Sequence, residues 1–488
     1  MGAPYGSGPR RGSAGGSAAG GSPAGGNAPD GNTADKAFAG GSAAVAALRG
    51  TGAEIRDAGP GDAVAGVVPR WVALPESTEE VAALMRVCAS LDLAAVPTGG
   101  GTRLHWGRPP ERCDLLVGTR RLDGILEHAS GDLVVRTQAG VTAEALAGVL
   151  AAAGQELALD VPAGGSTVGG ALATAAAGPR RLRYGTARDL LIGITVVLAD
   201  GTVARSGGKV VKNVAGYDLG KLFTGSYGTL GIITEAAFRL HPVSPVRRWT
   251  TARLPGPDSW TAPDGSGRFE APIGPAGPAG MGDPVGPADT AGPIGPAALA
   301  SALAAAQTEP SAVELDWAAP SGGVTVSALF EGAAADARAQ AVQDLVGACG
   351  PWEVAGEAPA WWGEAPGSGV PGEVLLELRV PPASADRALR AVAARGLPAR
   401  VRGSLASAVL HVALPAETGG PEFAAFVSGV RDDVRPLGGR LTVLAAPPEL
   451  ARRVDPWGPV GALPLMRRVK ERFDPGRRMS PGRLAEGL

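Results

Sequence analysis

Lysine is scarce in this 488-residue chain: Lys36, Lys209, Lys212, Lys221 and Lys470 are the only five among 45 basic residues. Histidine numbers four, tyrosine four and cysteine three, and aromatic residues make up 4% of the chain. Cys88, Cys113 and Cys349 lack metal-ligand spacing and are too few for a disulfide framework, which fits a reducing compartment. With a net charge of −2, a pI of about 6.2 and no large charged block, broad electrostatic binding of nucleic acid is excluded. No stretch approaches the roughly 20 uninterrupted apolar residues of a membrane span. The N-terminus has two arginines but no apolar signal core. A soluble, cytoplasmic protein is expected.

Glycine and proline are abundant instead, at 75 and 43 residues, yet 45% of the chain is hydrophobic. The two facts are compatible because the glycines and prolines are unevenly placed. Residues 1–35 contain almost nothing apolar larger than Ala, and residues 254–300 carry GPAGPAG and GPIGPA units that hold a collagen-like phase for only a few repeats. Both segments are expected to be disordered. About 400 residues remain, enough for two or three domains.

From Val67 the pattern changes. VVPRWVALP reads as a strand, and Ser77 with Glu80 forms a capping box for a helix whose Val81, Leu84, Met85 and Cys88 share one face. A short strand, Leu93–Val96, then leads into Pro97-Thr-Gly-Gly-Gly-Thr-Arg103, where backbone amides are free to approach a phosphate. Alone, the glycine triplet reads equally as a flexible loop. Its neighbourhood favours a site: a helix, Thr142–Ala153, and a strand, Glu156–Val161, precede a second glycine-rich turn at 162–170. Ser166 or Thr167 can cap the small-residue segment that follows. Two such turns suggest one extended diphosphate ligand gripped from two sides. Neither has the NAD or P-loop fingerprint.

Three of the five lysines lie between 209 and 221, Asn213 is the only Asn outside the tail, and Tyr184, Tyr217 and Tyr227 are three of the four tyrosines. This concentration of unusual chemistry at 184–227 points to a site. Beside it, Asp200-Gly201 signals a hairpin, and Gly225, Gly228 and Gly231 signal close backbone approach.

Together these segments resemble the FAD-binding domain of the vanillyl-alcohol oxidase type, also called PCMH-type, over residues 66–245. The strings GGKVVKNVAGYDLGKLFTGSYGTLG, GPRRLRYGTARD and FDPGRRMSPGRL are most similar to the E-type FAD-binding subunits of glycolate oxidase. The resemblance implies an α+β fold: a two-lobed FAD-binding domain at 36–245, an α+β cap domain at 301–450 that covers the flavin, and a C-terminal segment, 451–488, returning to the FAD domain. It implies that Gly99, Gly100, Gly101, Thr102 and Arg103 hold the pyrophosphate. Pro162, Gly165, Ser166, Thr167, Gly169, Gly170 and Ala173 would line the ribityl and isoalloxazine region, with Gly178, Tyr184 and Gly185 nearby and Ile232 in backbone contact. Relatives that attach flavin covalently place a His where this chain has Thr102, so noncovalent FAD is expected. His105, three residues later, reads as an ordinary loop residue.

In the cap, strands are expected near 324–330, 373–380 and 408–414, and helices near 333–348, 384–394 and 421–434, with a last helix at Pro464–Phe473. Oxidation of a 2-hydroxy acid needs a hydride acceptor, a base and a cation for the carboxylate. His411 stands alone within SAVLHVAL and reads as structural, so no metal site is expected. Arg180, Arg181, Arg183 and Arg188 offer a carboxylate clamp or else a solvated edge, and Arg188 with Asp189 reads as an internal pair. The weak catalytic candidates are Lys212, Asn213, Tyr217 and Arg183. The resemblance further implies a catalytic flavoprotein subunit and an iron–sulfur subunit as partners, and through them peripheral membrane association. An iron–sulfur centre would have to sit on a partner, because this chain has no cysteine set for one.

Overall fold

A computed structural model describes residues 42–161, 164–208, 218–260, 295–346, 352–367 and 372–488. The expected tail at 1–35, Pro162, most of the 254–300 insert and the Lys212–Tyr217 group lie outside the described residues. All elements below belong to the compact unit Ala47–Leu488.

The first lobe is a four-stranded sheet of β1 (Glu54–Asp57), β2 (Trp71–Leu74), β3 (Ala95–Thr98) and β4 (Leu115–Gly118), in the order β1-β2-β4-β3. The helix Thr78–Leu91 crosses from β2 to β3 and starts where its cap signals place it. Ser77 Oγ accepts the Glu80 N–H at 3.1 Å. The Glu80 carboxylate accepts from the N–H of Glu76 at 2.7 Å, one residue before the reciprocal partner of a capping box. Val81, Leu84, Met85 and Cys88 are fully buried. Burial pushes the Cys88 and Cys113 thiols up to about 12, so neither is a reactive thiolate.

The second lobe is built on β5 (Ile125–Ala129), β6 (Val134–Gln138), β7 (Gln155–Glu156), β8 (Leu191–Val197), β9 (Val203–Gly207), β10 (Ile232–Arg239) and β11 (His241–Pro242). Five of these form the antiparallel order β5-β6-β10-β8-β9, and β7 pairs with β11. The Asp200-Gly201 turn joins β8 to β9: Gly201 takes φ +83° and Asp200 Oδ1 accepts the Thr202 N–H at 2.8 Å. The strand expected at Glu156–Val161 shrinks to Gln155–Glu156. Asp160 turns to φ +50° and directs its carboxylate to Arg180 instead of continuing the ladder.

The third sheet has eight antiparallel strands: β12 (Arg247–Leu254), β13 (Ala312–Ala319), β14 (Val324–Glu331), β15 (Trp352–Ala355), β16 (Val374–Arg379), β17 (Ala399–Ser404), β18 (Val409–Leu414) and β19 (Arg440–Ala445). Their order is β15-β12-β14-β13-β17-β18-β16-β19. Helices Pro296–Ala305, Ala335–Val346, Ala385–Ala393 and Gly420–Val434 close one face over a core that includes Leu315, Trp317, Val326, Leu376, Val401 and Val412. Residues 254–260 and 295–300, expected to belong to a disordered insert, are ordered. Trp260 is buried, its indole N–H donates to Pro255 O at 2.9 Å, and Pro296–Ala305 is a packed helix.

The C-terminal helix Leu463–Phe473 returns to the first two lobes. Phe473 meets Phe223 edge to face at 5.7 Å, and Met479 bridges to Ala95 at the start of β3. Among the described residues no helix is long and apolar enough to cross a membrane.

Candidate functional site

The turn after β3, Gly99–Arg103, and the turn before the helix Val168–Ala173 meet backbone to backbone. A Cβ on Gly99 would overlap Thr167 Oγ1, and one on Gly100 would overlap the Gly165 carbonyl oxygen. These glycines therefore serve first to let two loops touch. Gly101 is different: it has φ +75° and open space where a side chain would go. Thr167 caps its helix by accepting the Gly170 N–H at 3.2 Å. Ser166 Oγ accepts from Arg103 Nη1 at 3.2 Å and lies 3.3 Å from Thr102 Oγ1, so hydroxyls and a guanidinium lock the two loops together.

The touching loops form one wall of an open cleft between the lobes. Gly99, Gly100, Gly101, Thr102, Arg103, Thr167, Gly169, Gly170, Ala173 and Ile232 line it, all named from sequence. Gly165 and Ser166 sit behind this lining, in the loop–loop contact. Among the described residues no carboxylate lines the cleft, whereas two guanidinium groups, Arg103 and Arg483, do. Arg103 lies 5.4 Å from the centre of the Trp106 ring. Arg483 donates to Leu104 O at 3.0 Å and Trp106 O at 2.8 Å, and its Nε is buried without a partner. Burial pulls Arg483 down to about 10 and lowers Arg103 as well, yet both stay cationic at neutral pH. Ser226 Oγ, from another lining residue, is buried with no hydrogen-bond partner. Two cations, an orphan hydroxyl and the apolar Leu104, Ile232 and Ile233 fit a diphosphate joined to a flat ring.

Tyr227, Ser226 and Arg483 are lining residues that sequence reasoning did not single out as ligands. Tyr227 takes φ +53° and meets Trp457 edge to face at 5.3 Å. Its membership of the tyrosine-rich patch was the available signal. Arg483 comes from the terminal SPGRL string, and only tertiary folding carries it to the cleft.

Gly178, Tyr184 and Gly185 are not among the lining residues. They belong to a seam between the second lobe and the eight-stranded sheet. Arg180 donates to Asp160 Oδ1 at 2.6 Å and Glu156 Oε2 at 2.9 Å, and reaches Glu331 of β14 at 3.4 Å. Tyr184 donates to Glu331 at 3.1 Å, and Arg247 closes the group on Glu156 and Glu331. A Cβ on Gly178 would overlap Asp160 O, and one on Gly185 would press on the Asp189 side chain. Arg183 is exposed, 5.7 Å from the Tyr184 ring centre.

The sheet face opposite the helices is polar. Strand register aligns Asp316, Arg402, His411, Glu377 and Thr442 across five neighbouring strands. His411 thus leaves the apolar core to its neighbours Leu410 and Val412. Burial, helped by the charges of Arg181, Arg379 and Arg103, pushes His411 down to about 4, against an opposing pull from Glu377. Trp106 fixes which way this face looks: it packs on Leu375 and Leu444, and the Gly107 N–H donates to Leu444 O at 2.8 Å. Among the described residues no three His, Cys, Asp or Glu side chains converge as a metal cluster.

Comparison with known proteins agrees with this geometry. Residues 69–207 match the FAD binding domain family. The glycolate oxidase subunit GlcD of Bacillus subtilis (strain 168) is 38% identical over 176 residues, 36% of this chain and 37% of that protein. The D-2-hydroxyglutarate dehydrogenase of Bos taurus is 40% identical over 169 residues, 34% of this chain and 31% of that protein. The D-lactate dehydrogenase of Archaeoglobus fulgidus is 36% identical over 186 residues, 38% of this chain and 41% of that protein. The matched region therefore spans only 31% to 41% of these relatives. Among solved structures, p-cresol methylhydroxylase with substrate bound superposes with a TM-score of 0.62 at 17% identity, over 85% of this chain and 88% of that one. Chitooligosaccharide oxidase does so with a TM-score of 0.60 at 16% identity, over 89% and 97%. The cleft between two touching glycine loops is thus part of an FAD-binding domain, in a chain that has the fold of the vanillyl-alcohol oxidase family.

Proposed function

We propose that this chain binds FAD noncovalently and takes part in oxidising a small 2-hydroxy acid, glycolate or a close analogue, to the 2-oxo acid. It would do so as the FAD-binding subunit of a glycolate oxidase complex, beside a catalytic flavoprotein subunit and an iron–sulfur subunit. The observation that carries the cofactor reading is the cleft itself, with no carboxylate among the described residues of its lining and with Arg103 and Arg483 on its walls. Relatives named for glycolate, D-lactate and D-2-hydroxyglutarate support the 2-hydroxy acid class. The strings shared with E-type subunits support the place in a complex, although the relative reported above carries the D-subunit name.

In this reading Gly99–Arg103 bind the diphosphate, and Thr167, Gly169, Gly170, Ala173 and Ile232 border the ribityl chain and ring. Thr102 offers a hydroxyl where covalent relatives carry a nucleophilic imidazole, which keeps the flavin exchangeable. Bound FAD supplies the acceptor for the hydride from the α-carbon. The polar sheet face supplies the rest: His411, neutral above about pH 4, accepts a hydrogen bond from the substrate hydroxyl. This face also favours a second reading, in which the chain is a dehydrogenase without partners.

Purified protein should be yellow and release FAD on acid precipitation. Colourless protein that cannot be reconstituted with FAD would overturn the cofactor reading. Anaerobic glycolate should bleach the flavin only when the copurifying flavoprotein subunit is present; bleaching of the isolated chain selects the second reading.

A further inference from the structure

The arginines around the seam between the second lobe and the eight-stranded sheet are not equivalent. Arg180 is saturated by Asp160, Glu156 and Glu331. Arg400 and Arg402 are both held by Asp316. Arg183 and Arg188 are exposed. Arg181 has a different environment: it is half-buried, and its guanidinium donates only to the backbone carbonyls of Gly178, at 3.1 Å, and Ala177. It has no ion-pair partner among the described residues, although its charge interacts with Glu314 and Glu377 of the sheet. A desolvated cation held only by carbonyls has residual demand for an anion.

Arg379 approaches from the sheet side. It stands on the same face of β16 as Leu375, which packs on Trp106, so it looks toward the FAD-binding lobes. Its Nε and Nη2 form a fork on the Glu377 carboxylate of its own strand, at 2.6 and 2.7 Å. The pair lies next to His411 in the sheet register. A carboxylate already fits this guanidinium in bidentate geometry, and Arg379 keeps 38% of its side chain accessible.

Resting on the 2-hydroxy acid reading above, we propose that Arg181 and Arg379 together receive the substrate carboxylate, with Glu377 as the internal carboxylate that competes for Arg379. The lobe supplies one cation and the sheet the other, so a bound carboxylate draws the two parts together over the cleft. His411 then faces the hydroxyl carbon from the adjacent strand. Because Glu377 already half-satisfies Arg379, weak anions do not displace it, whereas a hydroxy acid that also bonds His411 does.

The test is calorimetric titration of the full-length protein with oxamate, an unreactive monocarboxylate isostere of a 2-oxo acid, alongside FAD content per chain. Arg181→Met and Arg379→Met should each weaken oxamate at least tenfold with FAD content retained, while Arg188→Met leaves affinity unchanged. Glu377→Gln should tighten oxamate severalfold, because the competing carboxylate is removed, and this variant carries the test if an arginine variant does not fold. Unchanged affinity in the arginine variants and in Glu377→Gln, or no saturable oxamate binding by the wild type, overturns the proposal. A flavin-free protein that still binds oxamate through these residues would instead sink the cofactor reading and leave the anion receptor standing.

Discussion

Gly100 and Gly165 touch so closely that the carbonyl oxygen of Gly165 occupies the space a Cβ on Gly100 would need. Gly100→Ala must therefore separate the two glycine loops and break the Ser166–Arg103 bond behind them. The expected result is at least a tenfold loss of bound FAD, read from the flavin-to-protein absorbance ratio. Gly148→Ala, on the exposed face of the helix Ala143–Ala151 and away from the cleft, meets no neighbour and should keep its flavin. Equal flavin loss in both variants would contradict the loop-contact argument.

Lys470 is buried, and its ammonium donates to Thr229 O at 2.8 Å, Asp474 Oδ2 at 2.7 Å and Met479 O at 2.7 Å. It joins the C-terminal helix to the loop that borders the cleft. Lys470→Met leaves Asp474 buried and two carbonyls unpaired, and should cost about 3–5 kcal/mol in urea unfolding. A loss below about 1 kcal/mol would show that water or a rearranged side chain replaces the ammonium.

Arg180 pairs with three carboxylates, Asp160, Glu156 and Glu331, and shares the last two with Arg247 at the seam between the second lobe and the eight-stranded sheet. Removing Arg180 leaves more negative charge than Arg247 can balance in a poorly solvated site. Arg180→Met should destabilise by about 3 kcal/mol or more, whereas the exposed Arg183→Met should stay within about 0.5 kcal/mol. Chemical denaturation of both variants gives the comparison.

Glu314 is 5% exposed, its Oε1 has no hydrogen-bond partner, and burial raises its carboxyl to about 8. In the unfolded chain it ionises at an ordinary carboxylate pKa. Its contribution is therefore fully present below that value and is lost as pH rises through about 8, because the unfolded chain releases a proton that the folded one retains. Glu314→Gln keeps the shape without the proton equilibrium. It should raise the melting temperature at about pH 8.5 and change it little at about pH 4.5. A constant difference across that range would mean that Glu314 is ionised in the folded protein.

Much of the local structure was legible in the sequence because local rules govern it. Ser77 accepts the capping bond that its position predicted, Thr167 proves to be the cap of the two hydroxyls offered, and Asp200-Gly201 makes its hairpin. The strands Ala312–Ala319, Ala399–Ser404 and Arg440–Ala445 were not anticipated. Their outward residues, such as Glu314, Asp316, Arg400 and Arg402, face a polar interior between lobe and sheet, and so they read as loop or solvent-exposed sequence. The strand expected after Glu156 was lost because Asp160 serves Arg180, a partner twenty residues away.

Sequence by itself determined that two glycine loops, each preceding a short polar run, would form one ligand site, since glycine spacing and hydroxyl caps act within a few residues. Tertiary structure alone decided what those glycines do: Gly99 and Gly100 are glycine because the other loop lies against them. It also brought Arg483 to the cleft from the far end of the chain and turned His411 from an apolar strand toward Glu377 and Arg402. Backbone contact between distant loops and register across a sheet are set by packing, and a one-dimensional pattern records only one side of each contact.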